Sequence, residues 1–432
     1  MPRIAKNKKN QKILQTPKGT HDILPSEQPL WEKIDQGLKK VAEFYNFLKI
    51  NTPILEDMEL FERPLGEASD VVEKQMFVLK TKGGDTLVLR PEGTAPIVRS
   101  YIQHGLSHVA QPLKLYYFGP MFRYEQPQAG RYRQFHQAGF EIMSNRDDDP
   151  IYDIQVILAC YRLIESLKIK SLRVEVNSIG CKVCRPAYRR KLKDFYKGKE
   201  KNLCGDCQRR LKSNPLRVLD CKDLDCKEFK QSAPILLDNL CNNCTKHFKT
   251  VLEYLDELKL PYALNHQLVR GFDYYNRTVF EIFAEGFNFA LAAGGRYDYL
   301  AEILGGHNSP GVGGAVGLER LIEIIKSQNI ILVAKEKPKI ALIHIGDLAK
   351  KKSLGLIERL RMAGVAVVDT LGKDMLNAQL RFANKIDSPL ALILGQKEAV
   401  EENIIIRDMK TGAQETVTLE KLADAIKKKL KQ

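Results

Sequence analysis

Apolar residues recur at two different periods along this chain, and each period predicts a different element. Leu30, Trp31, Ile34, Leu38, Val41 and Phe44–Tyr45 repeat at helical spacing and predict a helix from about Pro29 to Asn46. TPILED follows as a strand, with Pro53 suited to an edge. Asp85–Arg90 reads as a strand leading into a helix over Thr94–His104, and Ile151–Leu167 as another apolar-periodic helix. Further strands are predicted near Tyr274–Phe283 and Phe287–Ala292, and a glycine-rich turn, HNSPGVGGAV, opens a helix over Gly317–Ser327. After a polar stretch at Val333–Lys339, the runs KIALIHI, VAVVDT and LALILG read as buried strands. Helical patterns at Leu348–Ala363 and Asp374–Asn384 separate them, and a tail helix spans Leu419–Leu430. That alternation predicts a compact α/β domain over 338–432.

The period-two segment with the most chemistry is Tyr116–Met143, two strands joined by a loop that carries Pro127 and Gly130. Strand side chains alternate between faces, so Phe135, Gln137, Gly139 and Glu141 share one face. Arg123 and Glu125 on the first run point the same way. A cation, two carboxylates, an amide and an aromatic plate suit a site for an aromatic, phosphorylated ligand better than a folding core. The competing reading is the solvated side of a half-buried sheet. Gly139 weighs against it, because glycine is poor in a strand interior unless a ligand or backbone approaches closely.

Composition changes the picture in two places. Hydrophobic residues at 44% and charged residues at 28% place the chain among ordinary globular proteins. No apolar run is long enough for a membrane span, and the basic N-terminus lacks the features of a secretory signal. Residues 1–12 read as a flexible basic arm, and the expected location is cytoplasmic. The net charge of +15 favours an anionic partner such as nucleic acid. Cys181–Tyr262 holds 19 Lys+Arg against 11 Asp+Glu, so over half of the excess lies in this one segment. The same segment carries Cys181/Cys184, Cys204/Cys207, Cys221/Cys226 and Cys241/Cys244. In a cytosolic chain such pairs favour metal over disulfides. Tetrahedral zinc takes four thiolates, so the eight could form two structural sites, although spacing does not say which pairs combine. Reduced buried thiols are the alternative, and His247 is a substitute ligand to consider.

Three more constellations carry polar chemistry. In LRPEGT, Glu92 and Thr94 can receive a ligand ammonium or simply cap the following helix. In LVRGFDYYNRTVFEI, Arg270, Asp273, Tyr274, Tyr275 and Arg277 crowd around Gly271. The cluster Gly294, Gly295, Gly311, Gly313, Gly314 and Gly317 could cradle phosphates or permit close packing. No P-loop or Rossmann fingerprint occurs.

TPKGTHDILP, LRPEGT, FRYE with RYRQFHQ, LVRGFDYY, GGRYD and GAVGLER stand in one order along nearly the whole chain. In that order they resemble the class II aminoacyl-tRNA synthetases, and within them the histidyl-tRNA synthetase family. The resemblance implies an α+β fold: an antiparallel-sheet catalytic domain over 13–332, a Cys-rich insertion at 178–262, and an α/β anticodon-binding domain at 338–432. It implies that L-histidine and ATP form histidyl-adenylate and pyrophosphate, with Mg²⁺ on the triphosphate, before the histidyl group passes to tRNA(His). Arg123 and Arg270 would be catalytic, both contacting the α-phosphate region. ATP would be held by Arg123, Glu125, Arg131, Phe135 and Arg320, with adenine between Phe135 and Arg320. Histidine would meet Glu92, Gly93, Thr94, Arg123, Gln137, Glu141, Arg270, Tyr274 and Tyr275. Glu141 and Tyr275 would then pair with the two imidazole nitrogens. TPILED resembles the family's dimer-interface motif, so a homodimer is implied. The basic insertion would lie against the tRNA acceptor arm, and its zinc would be structural, since the family's activity does not require these cysteines. A regulatory histidine-sensing relative and a zinc-ribbon nucleic-acid binder are the rival readings. The first usually lacks an anticodon-binding module, and the second leaves the polar constellations unused.

Overall fold

The computed structural model describes residues 14–65, 71–126, 130–145, 148–221, 223, 225–332 and 339–430. The basic arm at 1–12, the loop position Pro127 and most of the polar stretch at 333–339 lie outside the described residues. The chain divides between Val333 and Ala334 into two compact units. Among the described residues, no helix is long and apolar enough to cross a membrane.

In chain order the strands of the first unit are β1 (Leu48–Lys49), β2 (Leu55–Asp57), β3 (Phe77–Lys80), β4 (Thr86–Leu89), β5 (Leu113–Phe122) and β6 (Gln134–Met143). They continue with β7 (Leu172–Ser178), β8 (Tyr262–Leu264), β9 (Asn276–Ala284), β10 (Ala292–Arg296) and β11 (Gly311–Gly317). Eight of them form one sheet in the order β1-β5-β6-β11-β10-β9-β7-β8. The six inner strands are antiparallel, and only the short edge strands β1 and β8 pair in parallel. A smaller sheet runs β2-β4-β3. The expected antiparallel catalytic sheet is therefore present.

The even-numbered residues of β6, Ala138, Phe140 and Ile142, face a core built with four helices. The helix Gln28–Phe44 starts with Pro29 at a position suited to proline and buries Trp31, Ile34, Leu38 and Ala42, one residue per turn. Helix Ile151–Ser166 is buried on most sides, and helices Asn242–Glu257 and Leu318–Ser327 complete the layer. On the odd-numbered face, helix Thr94–Gln103 covers Leu113, Leu115 and Met143. This leaves the Phe135 end of β6 open, and the site lies there.

Two expectations in this region need correction. The glycine-rich stretch is not a turn: Gly311–Gly317 is strand β11, in the middle of the sheet between β6 and β10. Gly294 and Gly314 face each other across β10 and β11, and a Cβ on Gly294 would lie 2.2 Å from the Gly313 carbonyl. A Cβ on Gly314 would meet the Phe280 ring at 2.7 Å. Close strand packing, the second reading of these glycines, is thus the geometry seen there. The strand predicted at Phe287–Ala292 instead starts at Ala292 and runs to Arg296.

Between β7 and β8 lies a helical insertion with helices Cys184–Tyr196, Gly205–Ser213, Lys227–Gln231 and Asn242–Glu257. Tyr188, Leu192, Tyr196, Leu203, Leu211 and Leu216 are buried inside it. The second unit holds β12 (Ile340–His344), β13 (Val367–Asp369), β14 (Leu390–Leu394), β15 (Asn403–Asp408) and β16 (Gln414–Thr418), ordered β13-β12-β14-β15-β16. Its first three strands are parallel, as the β/α alternation predicts. The antiparallel hairpin β15–β16 was not anticipated. Its own apolar core includes Ile340, Leu342, Leu356, Leu392 and Ile426.

Candidate active site

Strand register decides which side chains meet. In β5–β6, Met121 lies opposite Phe135, Gly119 opposite Gln137, Tyr117 opposite Gly139 and Leu115 opposite Glu141. The pairing continues past the strand ends, where Arg123 N–H donates to the Arg133 carbonyl at 2.9 Å. From β11, Gly313 lies opposite Glu141, Ala315 opposite Gly139 and Gly317 opposite Gln137. Ala315 and Gly317, both small, border a cavity of about 290 Å³ above this end of the sheet.

Arg123, Arg131, Arg270 and Arg320 all line this one cavity. Arg123 Nε donates to the Pro91 carbonyl at 2.9 Å, and its guanidinium lies 5.3 Å from the Phe135 ring centre and 5.6 Å from that of Phe272. Burial lowers its pKa, and Arg270 pushes in the same direction. Two guanidinium groups on the wall of one cavity give it a positive lining suited to an anion. Arg270 Nη1 pairs with Glu281 at 2.5 Å. Burial pulls the Arg270 pKa down, but Glu281 and the neighbouring tyrosines outweigh it and leave it raised. Arg320 donates to the Ala290 carbonyl at 2.8 Å and sits over Phe289. Glu125 lies 3.5 Å from Arg131 and 4.0 Å from Arg123.

Glu92, Thr94, Gln137, Tyr274 and Tyr275 border the same cavity. Glu92 accepts from the backbone N–H groups of Thr94 (2.6 Å) and Ala95 (2.8 Å), so it caps the helix Thr94–Gln103. It also receives the Tyr274 hydroxyl at 3.5 Å. Burial raises its pKa. Gln137 Oε1 is buried with no hydrogen-bond partner among the described residues. An acceptor left unpaired on a cavity wall is suited to a ligand donor.

Gly93 and Glu141, both expected to touch histidine, are not on the cavity wall. Glu141 lies fully buried, with one oxygen accepting from the Thr94 hydroxyl at 2.8 Å and the other from Tyr297 at 2.5 Å. Burial pushes its pKa up to about 8. Gly93 and Gly139 share one physical reason. A Cβ on either would meet the Tyr117 ring, at 2.4 and 2.2 Å. The neighbour that requires Gly139 is thus a side chain of the adjacent strand.

Sequence reasoning missed Tyr117, Phe272, Gln75, Tyr132, Glu319 and Tyr297. The first five line the cavity, and Tyr297 stands behind Glu141. Period two places Tyr117 on the site face, so that one was within reach. Glu319 sits in the quoted GAVGLER, where it accepts from the His136 N–H and contacts the His136 ring at 2.8 Å. No sequence signal points to Gln75.

The cysteines fall into two sets of four. Cys181, Cys184, Cys241 and Cys244 form one, and Cys204, Cys207, Cys221 and Cys226 the other, with sulfurs within 4.8 Å of one another in each. Cys181 Sγ lies 3.7 Å from Cys184 and 3.8 Å from Cys241, and Cys204 lies 3.7 Å from Cys221. A tetrahedral zinc with Zn–S bonds of about 2.3 Å has sulfur–sulfur edges of about 3.8 Å. The donor sets fit that ion. His247 belongs to neither set: its Nε2 faces Asp153 at 3.7 Å, beside the buried Arg296 ion pairs.

An inner antiparallel sheet with arginines, an aromatic plate and a carboxylate-capped helix around one cavity is the catalytic architecture of class II aminoacyl-tRNA synthetases. The family model described as "Histidyl-tRNA synthetase" matches residues 19–321, and that described as "Anticodon binding domain" matches 334–429. A histidine–tRNA ligase of Dehalococcoides mccartyi is 43% identical over 97% of this chain and 100% of its own length. One of Desulforamulus reducens is 42% identical over 95% of this chain and 98% of its own. The crystal structure of apo S. aureus histidyl-tRNA synthetase superposes with a TM-score of 0.79 at 32% identity, covering 96% of this chain and all of that one. The chain belongs to the histidyl-tRNA synthetase family.

Proposed function

We propose that the protein is a histidine–tRNA ligase, which activates L-histidine with ATP to histidyl-adenylate and pyrophosphate and then transfers the histidyl group to tRNA(His). The observation that carries this reading is the convergence of Arg123 and Arg270 on one cavity with Glu92, Gln137, Tyr274 and Tyr275. Activation requires an anionic carboxylate to attack an anionic α-phosphate, so negative charge crowds the transition state. Preorganised cations in a water-poor space stabilise it, and removing one such partner typically costs about 3–4 kcal/mol of barrier. Arg123 and Arg270 fill that role here. ATP enters as its Mg²⁺ complex, with Arg131 and Arg320 contributing further positive charge.

On the amino-acid side, Glu92 and the Tyr274 hydroxyl provide acceptors for the α-ammonium. Gln137 Oε1, lacking a partner, provides a third acceptor. Tyr275 meets the imidazole directly. Glu141 acts from behind by fixing the hydroxyl of Thr94. The basic insertion and the domain at 338–432 contact tRNA. Zinc held by the two cysteine sets is structural: it cross-links the insertion and takes part in no step. A homodimer in the cytoplasm completes the reading. The match of residues 334–429 to an anticodon-binding module favours the ligase over a regulatory relative.

Histidine-dependent exchange between ATP and pyrophosphate on the purified protein is the test. The wild type is expected to exchange only with histidine present. Arg270→Ala is expected to lose about 10²–10³-fold in rate. Exchange that ignores histidine, or none in the wild type, rejects the proposal.

A further inference from the structure

The turn Ile179–Arg185 joins the first cysteine set to the wall of the cavity. On the side of the cysteine set, Val183 N–H donates to Cys181 Sγ at 3.3 Å and Cys241 N–H to Cys184 Sγ at 3.1 Å. Such donors offset the charge that four thiolates would bring. Gly180 has φ of 67°, and a Cβ there would lie 2.8 Å from Cys184 Cβ, so only glycine lets the turn close onto the cluster.

On its other side the same turn is tied to the start of β9. Ile179 N–H donates to the Arg277 carbonyl at 2.8 Å, and Arg277 N–H to the Gly180 carbonyl at 2.9 Å. Arg185 follows Cys184 directly. Its Nε donates to the Ile179 carbonyl at 3.1 Å, and its Nη2 donates to the carbonyl of Tyr275, a wall residue of the cavity. The second set is placed differently. It joins helix Gly205–Ser213 to the turns around Cys221 and Cys226, deep in the insertion, and meets the cavity segment through side chains, by the exposed hydrogen bond Asn214–Asp273 and the charge of Asp220 on Arg270.

We propose that the two sets are zinc centres with separate roles, the first positioning the histidine pocket and the second holding the insertion together. The first fixes the start of helix Cys184–Tyr196 so that Arg185, a positioning residue, clamps the Tyr275 backbone. The pocket half of this inference rests on the ligase reading, in which Tyr275 meets histidine.

The test uses the full chain. Elemental mass spectrometry is expected to find two zinc ions per chain, and one in each of Cys241→Ser/Cys244→Ser and Cys221→Ser/Cys226→Ser. Hydrogen exchange of the amides in 271–276 is expected to accelerate in the first double variant and in Arg185→Ala, and to stay near wild type in the second double variant. Arg185→Ala is expected to keep both zinc ions and to raise the histidine KM by about tenfold, with the ATP KM within about twofold. Arg185→Lys should recover part of that rise. A folded, zinc-free wild type overturns the proposal, as does Arg185→Ala with unchanged exchange in 271–276. Equal acceleration in both double variants also overturns it. If the first double variant does not fold, Arg185→Ala decides. Zinc counts and amide exchange need no activity, so a wild type without histidine-dependent turnover rejects the ligase reading and leaves this test readable.

Discussion

Glu141 combines full burial with two hydroxyl partners, and burial is what sets its protonation. Unfolded, a glutamate loses its proton near 4.5, whereas this one holds it to about 8. Between those values the folded chain binds one more proton than the unfolded chain. Stability therefore falls as pH rises through the window, by up to about 1.4 kcal/mol per pH unit, and levels off above it. Glu141→Gln keeps one acceptor and one donor but has no proton to lose. Wild-type stability minus that of Glu141→Gln, from urea unfolding, should become more negative between pH 5 and pH 8. A difference that stays flat counts against the burial argument. At this scale the sequence was readable wherever alternation alone decides. Arg123 and Gln137 do line the cavity on the predicted face. The reason for Gly139 was not readable, because the Tyr117 ring over it is known only once β5 and β6 are in register.

At the scale of elements, a buried ion network ties the back of the sheet to its helices. Arg296, at the end of β10, pairs with Asp153 of helix Ile151–Ser166 and with Asp298 at 3.1 Å, all three with almost no exposure. Asp298 is itself held by the Asn276 side-chain amide of β9 at 2.7 Å. Arg296→Met leaves Asp153 buried without its arginine and Asp298 with only the more distant Arg277 at 4.0 Å, which costs about 3–5 kcal/mol. The urea midpoint should fall accordingly with an unchanged slope, and a loss under about 1 kcal/mol would contradict this account. Helices with an apolar face were legible from period alone, as Gln28–Phe44 shows. Strand β11 was not. Its glycines signal a turn locally, yet in the sheet Phe280 and Glu141 fill the volume where side chains would stand. Glycine there is a packing requirement set by neighbours distant in sequence.

The whole molecule is two units with separate cores, and the first presents an unusual surface. Ile54 and Leu55 beside Pro53, with Val78 and Leu79 on β3, are each 42–48% exposed on or beside the small sheet β2-β4-β3. By register Leu55 and Leu79 share one face of that sheet, and exposed aliphatics at the motif that resembles the family's dimer interface fit a second copy of the chain. Sedimentation at micromolar concentration should give a dimer, and Leu55→Glu with Leu79→Glu should shift it to monomer. A monomeric wild type sinks that expectation. The ordered motifs alone determined the family, because each is a local string whose chemistry survives without coordinates. The thiol spacings favoured metal over disulfides, but four short motifs allow several pairings. Only the tertiary structure brought Cys181/Cys184 to Cys241/Cys244, and Cys204/Cys207 to Cys221/Cys226. It also set Glu141 behind the cavity wall. Both results depend on contacts between residues far apart along the chain, which no local pattern encodes.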